Sequence, residues 1–249
     1  ELLEKPFLSL LVSGGHTQLV LTESITKHKI LINMESQKAI GESLDKCARH
    51  LKFKGTMIAK EMEKFIRLQN LPFENPEYYK NLVRTTNPFT KPLSKGQKVH
   101  VKQFCFTGLE SQLIGAIEQG VFKLDKLTDI EKAEWAYRIQ HVHFQHIIDK
   151  IKLQFAETPE LATLPLVISG GVSANIYLRG YCERQLENKM YYPKHLSLCT
   201  DNSVMIGWAG LKFYEKTKMV STIDGTSIAR WPLSELLTVD GMKEDDDPL

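Results

Sequence analysis

Apolar and polar positions sort into short alternating runs near the two ends of the chain and long helical periods between them. Residues 7–13, 17–22 and 28–34 are brief and apolar or alternating, the pattern of strands. Over 39–51 the period lengthens: Ile40, Leu44, Cys47, Ala48 and Leu51 recur at helical spacing, with Glu42, Asp45, Lys46 and Arg49 on other faces. A second amphipathic helix is predicted over 57–68, then a loop-rich, proline-punctuated stretch over 72–96, a compact apolar segment over 103–108 and a helix over 110–118. The longest helical period, 128–155, opens on Thr128-Asp129-Ile130-Glu131, a capping-box pattern. Beyond it the pattern predicts a buried strand over 164–169, a helix over 174–187, a short strand over 195–198 and a helix over 202–216. From 222 onward the chain reads as irregular, with a solvated acidic end over 243–247.

Two of these strand ends run into the same three letters. Ser13-Gly14-Gly15-His16-Thr17 separates the first two strands, and Ser169-Gly170-Gly171-Val172 leads into Ser173-Ala174-Asn175, a plausible helix start. Adjacent glycines leave backbone amides open to an anion because no Cβ stands in the way. The pair therefore suggests two walls of one phosphate site; taken singly, each Gly-Gly is also what an ordinary tight turn needs.

Composition narrows the classes without choosing one. With 42% hydrophobic and 25% charged residues in a chain of 249, a sizeable core in one large or two small domains is expected. A net charge of +2 imposes no overall field, so nucleic acid is permitted rather than demanded. The lysines over 91–102 and 123–132 read either as a local RNA-facing patch or as solvated surface. Cys47, Cys105, Cys182 and Cys199 are scattered with no C-x-x-C pair, which argues against a zinc knuckle, a redox dithiol or a disulfide framework and for reduced thiols inside a cell. No apolar run approaches the roughly eighteen residues of a membrane span. No signal or transit pattern opens the chain, and the abrupt start at Glu1-Leu2-Leu3 reads as a processed or truncated one. His141, His143 and His146 share one helix, but 141 and 143 face different sides and 143 and 146 sit in an apolar-periodic stretch, so they read as structural.

With the helical middle set aside, the ends read β-β-β-α and then β-α-β-α, the order of one ribonuclease-H-like half of an actin-like (ASKHA) α/β domain. Leu11-Val12-Ser13-Gly14-Gly15-His16-Thr17-Gln18-Leu19, Gly41-Glu42-Ser43-Leu44-Asp45-Lys46, residues 104–109, residues 169–175 with Leu178-Arg179, and Cys199-Thr200-Asp201-Asn202 with Met205-Ile206 and Ala209-Gly210 fall in one order. Together they resemble the tRNA N6-adenosine threonylcarbamoyltransferase family, formerly labelled O-sialoglycoprotein endopeptidases. His16, where archaeal and eukaryotic cytosolic members usually carry Asn, resembles the bacterial and mitochondrial branch. Leu44-Asp45-Lys46-Cys47 followed by Phe53-Lys54-Gly55-Thr56-Met57 resembles the mitochondrial form in particular.

The resemblance implies an actin-like fold lacking most of its N-terminal half. Its α/β subdomain would comprise 1–51 and 164–216, a mostly helical insertion 52–163, and an irregular tail 217–249. It implies transfer of a threonylcarbamoyl group from threonylcarbamoyl-AMP to the adenosine next to the anticodon of tRNAs reading codons that begin with A. Substrate contacts are implied at Leu11, Val12, Ser13, Gly14, Gly15, His16, Asp45, Gly55, Thr56, Gly170, Gly171 and Asn175, with Asp45 on the adenylate ribose. Asp201 would be a ligand of one divalent metal ion, zinc or iron. tRNA as partner, a homodimer without membrane attachment, and a mitochondrial or bacterial cytoplasmic location are implied as well, while no catalytic side chain is assigned.

The chain also departs from the family pattern. The two metal-binding histidines of an H-x-x-x-H motif, expected shortly before the first turn, are not in these residues; Ser36-Gln37-Lys38 stand where acidic residues are usual, and a Pro-Gly-Gly-Pro turn is reduced to Gly55-Thr56. From the residues alone Asp45 is equally a helix-surface carboxylate paired with Arg49, Asn175 an early-helix polar residue, and Asp201 an N-cap. An actin-type ATPase or small-molecule kinase, and a noncatalytic module binding tRNA or a protein, remain the alternatives. A metalloprotease does not, since no H-E-x-x-H occurs.

Overall fold

The computed structural model describes residues 3–34, 38–72, 75, 78, 82, 88–221 and 242–245. Its centre is a mixed sheet of six strands, β1 (Phe7–Val12), β2 (Thr17–Thr22), β3 (His28–Met34), β4 (Gln103–Phe104), β5 (Leu166–Ser169) and β6 (Met190–Tyr191), in the order β4-β3-β2-β1-β5-β6. β1, β2 and β3 form an antiparallel meander, while β5 runs parallel to β1 and β6 parallel to β5. Leu8, Leu10 and Val12 of β1 and Leu166 and Ile168 of β5 are wholly buried, so alternation along each strand sends one set of side chains to the core.

Helices α1 (Ile40–His50), α2 (Ile58–Leu68), α3 (Leu109–Glu118) and α4 (Asp129–Glu157) cover the sheet and share one apolar cluster with it. α4 touches α1, α2, β3, β4 and the later helix α5 (Ile176–Gln185), and it is buried along most of its length. Its start is capped as expected: the Thr128 hydroxyl accepts from the Glu131 amide while the Glu131 carboxylate accepts from the Thr128 amide. All four cysteines are free and buried. No helix among the described residues is long and apolar enough to cross a membrane.

Four expectations change. The strand expected over 195–198 is a 3-10 turn, Leu196–Leu198, and the edge strand lies earlier at Met190–Tyr191. Leu196 and Leu198 alternate as strand residues do, but both are about half exposed and β5 pairs with Met190 and Tyr191 instead. The helix expected over 174–187 begins only at Ile176, after a 3-10 turn at Gly171–Ala174. In the loop-rich stretch, Tyr78 and Leu82 are helical, while 73–74, 76–77, 79–81 and 83–87 lie outside the described residues. The tail is not wholly irregular: after α6 (Ser203–Thr217), β7 (Met219–Ser221) pairs antiparallel with β8 (Met242–Glu244). The irregular reading of 222–241 and the acidic end at 246–247 fall outside the described residues.

Candidate substrate site

β1 and β5 are neighbours in register, Leu11 opposite Ser169, so their carboxyl ends and both Ser-Gly-Gly turns emerge side by side. In open α/β sheets ligands settle outside the carboxyl ends of such strands. The contact between the turns is intimate. Gly170 has φ +94°, and a Cβ built on it would stand 2.3 Å from the Val12 carbonyl oxygen, so only glycine fits.

Within the first turn the Ser13 amide donates to the His16 carbonyl (2.8 Å), and the Ser13 hydroxyl oxygen accepts from the amides of His16 (2.9 Å) and Gly15 (3.3 Å). Gly14, Gly15 and His16 are exposed, and a Cβ on either glycine would meet nothing within 4 Å. Glycine here keeps a surface open rather than solving a packing problem.

α1 starts directly on this turn. The Ile40 amide donates to Thr17 Oγ1 (3.1 Å) and the Gly41 amide to the Ser13 carbonyl (3.1 Å), so two of the helix's first free N–H groups are satisfied by the turn. Gly41 is forced by proximity, since a Cβ on it would lie 2.8 Å from the Ser13 carbonyl and 2.9 Å from the Gly14 amide nitrogen. Neither Thr17 nor Gly41 was assigned a role from sequence. The signal available was a glycine in the first turn of a helix, where its poor propensity asks for a reason. The positive end of α1 thus abuts the turn and favours an anion there.

Asp45 lies one helical turn past Gly41, on the same face of α1. Its Oδ1 accepts from the Ala59 amide (2.8 Å) and so caps α2; among the described residues it makes no ion pair with Arg49, the partner its spacing suggested. Gly55 and Thr56, in the loop that leads into α2, are exposed. Asn175 is the N-cap of α5: Oδ1 accepts from the Leu178 amide (3.0 Å) and Nδ2 donates to Gln140 Oε1 (2.8 Å). Beside it the Ile176 amide donates to Glu63 Oε1 (3.3 Å), and burial raises the carboxyl of Glu63 above its usual range. Val12 is fully buried, so any ligand contact it makes is through its backbone. Leu11 is half-buried at the end of the same strand.

The Thr200 methyl lies 3.6 Å from where a Cβ on Gly171 would stand, which puts Thr200 beside the second turn. The N-cap of α6 is Asn202, whose Oδ1 accepts from the Met205 amide (3.0 Å), so Asp201 does not have the capping role open to it from sequence. Asp201 is exposed, and no group of three or more His, Cys, Asp or Glu able to hold a metal occurs among the described residues. A lone carboxylate does not fit a resident zinc or iron ion, which takes three or four protein donors.

The histidines of α4 are structural. His143 Nδ1 bonds the Ile139 carbonyl (2.7 Å) and its Nε2 the Ser43 hydroxyl (2.9 Å), while His146 Nε2 accepts from the Cys105 amide (3.0 Å) and His141 Nδ1 bonds the Tyr177 hydroxyl (2.6 Å). Burial lowers all three pKa values, His141 and His143 to about 4 and His146 to about 3, so they are neutral near pH 7. In the lysine stretch, Lys91 is paired with Asp149 and Lys102 with Glu157, whereas Lys95 and Lys98 are exposed.

The family described as TsaD, tRNA N6-adenosine threonylcarbamoyltransferase, matches residues 1–208. The mitochondrial tRNA N6-adenosine threonylcarbamoyltransferase of Schizosaccharomyces pombe is 33% identical over 248 residues, 95% of this chain and 56% of that protein. The tRNA N6-adenosine threonylcarbamoyltransferases of Rhizobium johnstonii and Sinorhizobium medicae are 31% and 30% identical over 92% and 93% of the chain, and 58% and 60% of their own lengths. The chain therefore spans little more than half the length of these relatives.

Proposed function

Because the chain belongs to the tRNA N6-adenosine threonylcarbamoyltransferase family, we propose that it forms one wall of the site that binds threonylcarbamoyl-AMP. The reaction is transfer of the threonylcarbamoyl group to the adenosine next to the anticodon of tRNAs reading codons that begin with A. The observation that carries this reading is the juxtaposition of the two Ser-Gly-Gly turns at the carboxyl ends of β1 and β5, with the start of α1 seated on the first.

The acceptor is an aromatic amine, a poor nucleophile, so the protein's part is to position both partners and to stabilise charge on the acyl carbonyl and the departing phosphate. Within the turn the Ser13 hydroxyl oxygen accepts from the Gly15 and His16 amides. A phosphate or carbonyl oxygen would take its place as acceptor, with the positive end of α1 behind it. Asp45 would offer a carboxylate to the ribose hydroxyls, and the family resemblance adds Gly55-Thr56, Gly170, Gly171 and Asn175 to the same site. The exposed Lys95 and Lys98 are the lysines of their stretch best placed to meet tRNA phosphates. We assign the working protein to the mitochondrion, following the name of the S. pombe relative and the His16 branch pattern, and take it as a homodimer from the family resemblance. A divalent zinc or iron ion in the whole protein would draw donors besides Asp201 from outside the described residues, and no step is built on it.

Calorimetric titration with AMP or a stable adenylate analogue tests the reading. Binding should weaken at least tenfold in Gly15→Val and Gly171→Val. Unchanged affinity in both folded variants would remove the phosphate site.

A further inference from the structure

Asn175 closes the 3-10 turn that follows the second glycine pair, its amide donating to the Val172 carbonyl (3.0 Å), and its carboxamide is held at both ends. Chemistry decides which end is which. The Leu178 amide can only donate, so the Asn175 atom that faces it at 3.0 Å is Oδ1; Nδ2 therefore faces α4, and Gln140 meets it with Oε1 at 2.8 Å. Gln140 is 1% exposed, so the accepting end of this bond is shielded from water. A primary amide carries two N–H groups, and among the described residues Nδ2 makes this one bond. Its second N–H stays available, at a position that is partly exposed.

The backbone beneath that side chain is fixed by other groups. The Ile176 amide donates to Glu63 Oε1 on α2, and the Tyr177 hydroxyl bonds both His141 Nδ1 (2.6 Å) and the Tyr137 hydroxyl (2.9 Å) on α4. Glu63, His141 and Tyr137 are all buried. Residues 175, 176 and 177 thus meet three different sets of partners, and of these only Gln140 acts on the carboxamide. The terminal torsion of an asparagine is broad, so the single bond at Oδ1 leaves the amide plane free to rock, and the second bond removes that freedom.

We infer that Gln140 is a positioning residue of the adenylate site, holding the Asn175 carboxamide so that the free N–H of Nδ2 is presented to the nucleotide as a donor. The ligand atom it meets is then an acceptor, an oxygen or an unprotonated ring nitrogen. The inference rests on the adenylate reading of Asn175 and names a residue outside it. Nothing in the pattern of the chain marks Gln140, which lies 35 residues from Asn175 among the buried positions of α4.

The test is a double-mutant cycle on the folded chain, read by calorimetric titration with AMP. Gln140→Met and Gln140→Leu remove the acceptor while keeping an apolar side chain of similar bulk, and each should weaken AMP binding about threefold or more. Gln140→Glu keeps an oxygen for Nδ2 whether ionised or protonated, and should bind within about twofold of the parent. In an Asn175→Ala background, Gln140→Met should leave the affinity unchanged. A second readout needs no ligand: in the 15N-labelled chain the Asn175 side-chain amide pair, identified by its loss in Asn175→Ala, should be ordered in the parent and in Gln140→Glu and mobile in Gln140→Met, with the backbone amides of Ile176 and Tyr177 unshifted. Parental affinity in either acceptor-free variant, an equal loss in the Asn175→Ala background, or displaced 176 and 177 amides would overturn the proposal, the last two by showing a merely structural role. AMP binding absent from the unsubstituted chain would overturn the adenylate reading and this inference with it, whereas binding by the parent without coupling overturns this inference alone.

Discussion

At the end of β1, Gly14 and Gly15 look out on open space, whereas at the end of β5, Gly170 holds a positive-φ backbone with the Val12 carbonyl standing where a Cβ would be. Three identical letters thus do two jobs. The second turn uses its first glycine to bring the strand ends together, and the first turn uses its pair to leave the resulting surface uncovered. The lesson is that glycine in a motif reports closeness of approach without saying whether the neighbour is protein or ligand. Substitution separates the cases, because an internal neighbour is felt as stability and an external one as affinity.

The largest effect should come from Gly170→Ala. With a carbonyl oxygen 2.3 Å from the new Cβ and φ at +94°, the strand end must move. The expected loss is at least ~4 kcal/mol of unfolding free energy by urea denaturation, at the severe end for single substitutions. Gly41→Ala follows for the same reason, whereas Gly171→Ala makes only an ordinary contact and should be nearly silent.

Acid probes the support beneath the first turn. α1 carries that turn on Gly41 and is itself held by the Ser43–His143 hydrogen bond. His141 and His143 titrate near 4 and His146 near 3 in the folded chain, against an ordinary value of 6.5. Between those values the unfolded chain binds more protons than the folded one, so stability is full above about pH 6.5 and is lost as pH falls toward 4. Each buried histidine contributes on the order of 3 kcal/mol over that window. Stability measured by urea at stepped pH should fall steeply from pH 6.5 and recover on neutralisation; a flat profile down to pH 4 would contradict the neutral, buried assignment.

Gly15→Val is the counterpart of Gly170→Ala. Its Cβ meets nothing within 4 Å among the described residues, so unfolding free energy should stay within ~0.5 kcal/mol of the parent. The tenfold loss of adenylate affinity expected for it corresponds to about 1.4 kcal/mol. A variant that unfolds instead would show that the open face is closed by something within the chain.

β1 was legible because it keeps a period of two with one buried face, and β2 keeps it on either side of the irregularity at Leu19-Val20. Phe7–Val12 and Thr17–Thr22 fall within a residue of the expected runs. α4 was legible from its capping box and its unbroken period. What could not be read was which atoms the polar residues would find. Asp201 and Asn202 are both good caps, and only the backbone decides that Asn202 faces the Met205 amide. The spacing of Asp45 from Arg49 allows an ion pair as one reading of that carboxylate, but the fold brings the Ala59 amide, from another helix, within reach. The strand read over 195–198 failed because alternation records where apolar side chains fall and not whether a neighbouring strand has free hydrogen bonds there.

Asp45 belongs to neither turn and can therefore sharpen the division between internal and external neighbours. Its Oδ1 holds the Ala59 amide at the start of α2, a structural role, while the family resemblance gives it the ribose. Asp45→Ala removes both and should lower stability by ~1 kcal/mol, the usual worth of a lost cap. Asp45→Asn retains a carbonyl oxygen for the Ala59 amide, so stability should return to within a few tenths of a kcal/mol of the parent. The charge is gone in both. If the carboxylate meets the ribose hydroxyls, adenylate affinity should fall severalfold in Asn as well as in Ala, because an ionised acceptor bonds a hydroxyl more strongly than an amide does. Affinity restored in Asn along with stability would instead make Asp45 a positioning residue, acting through the Gly55-Thr56 loop that its cap holds in place.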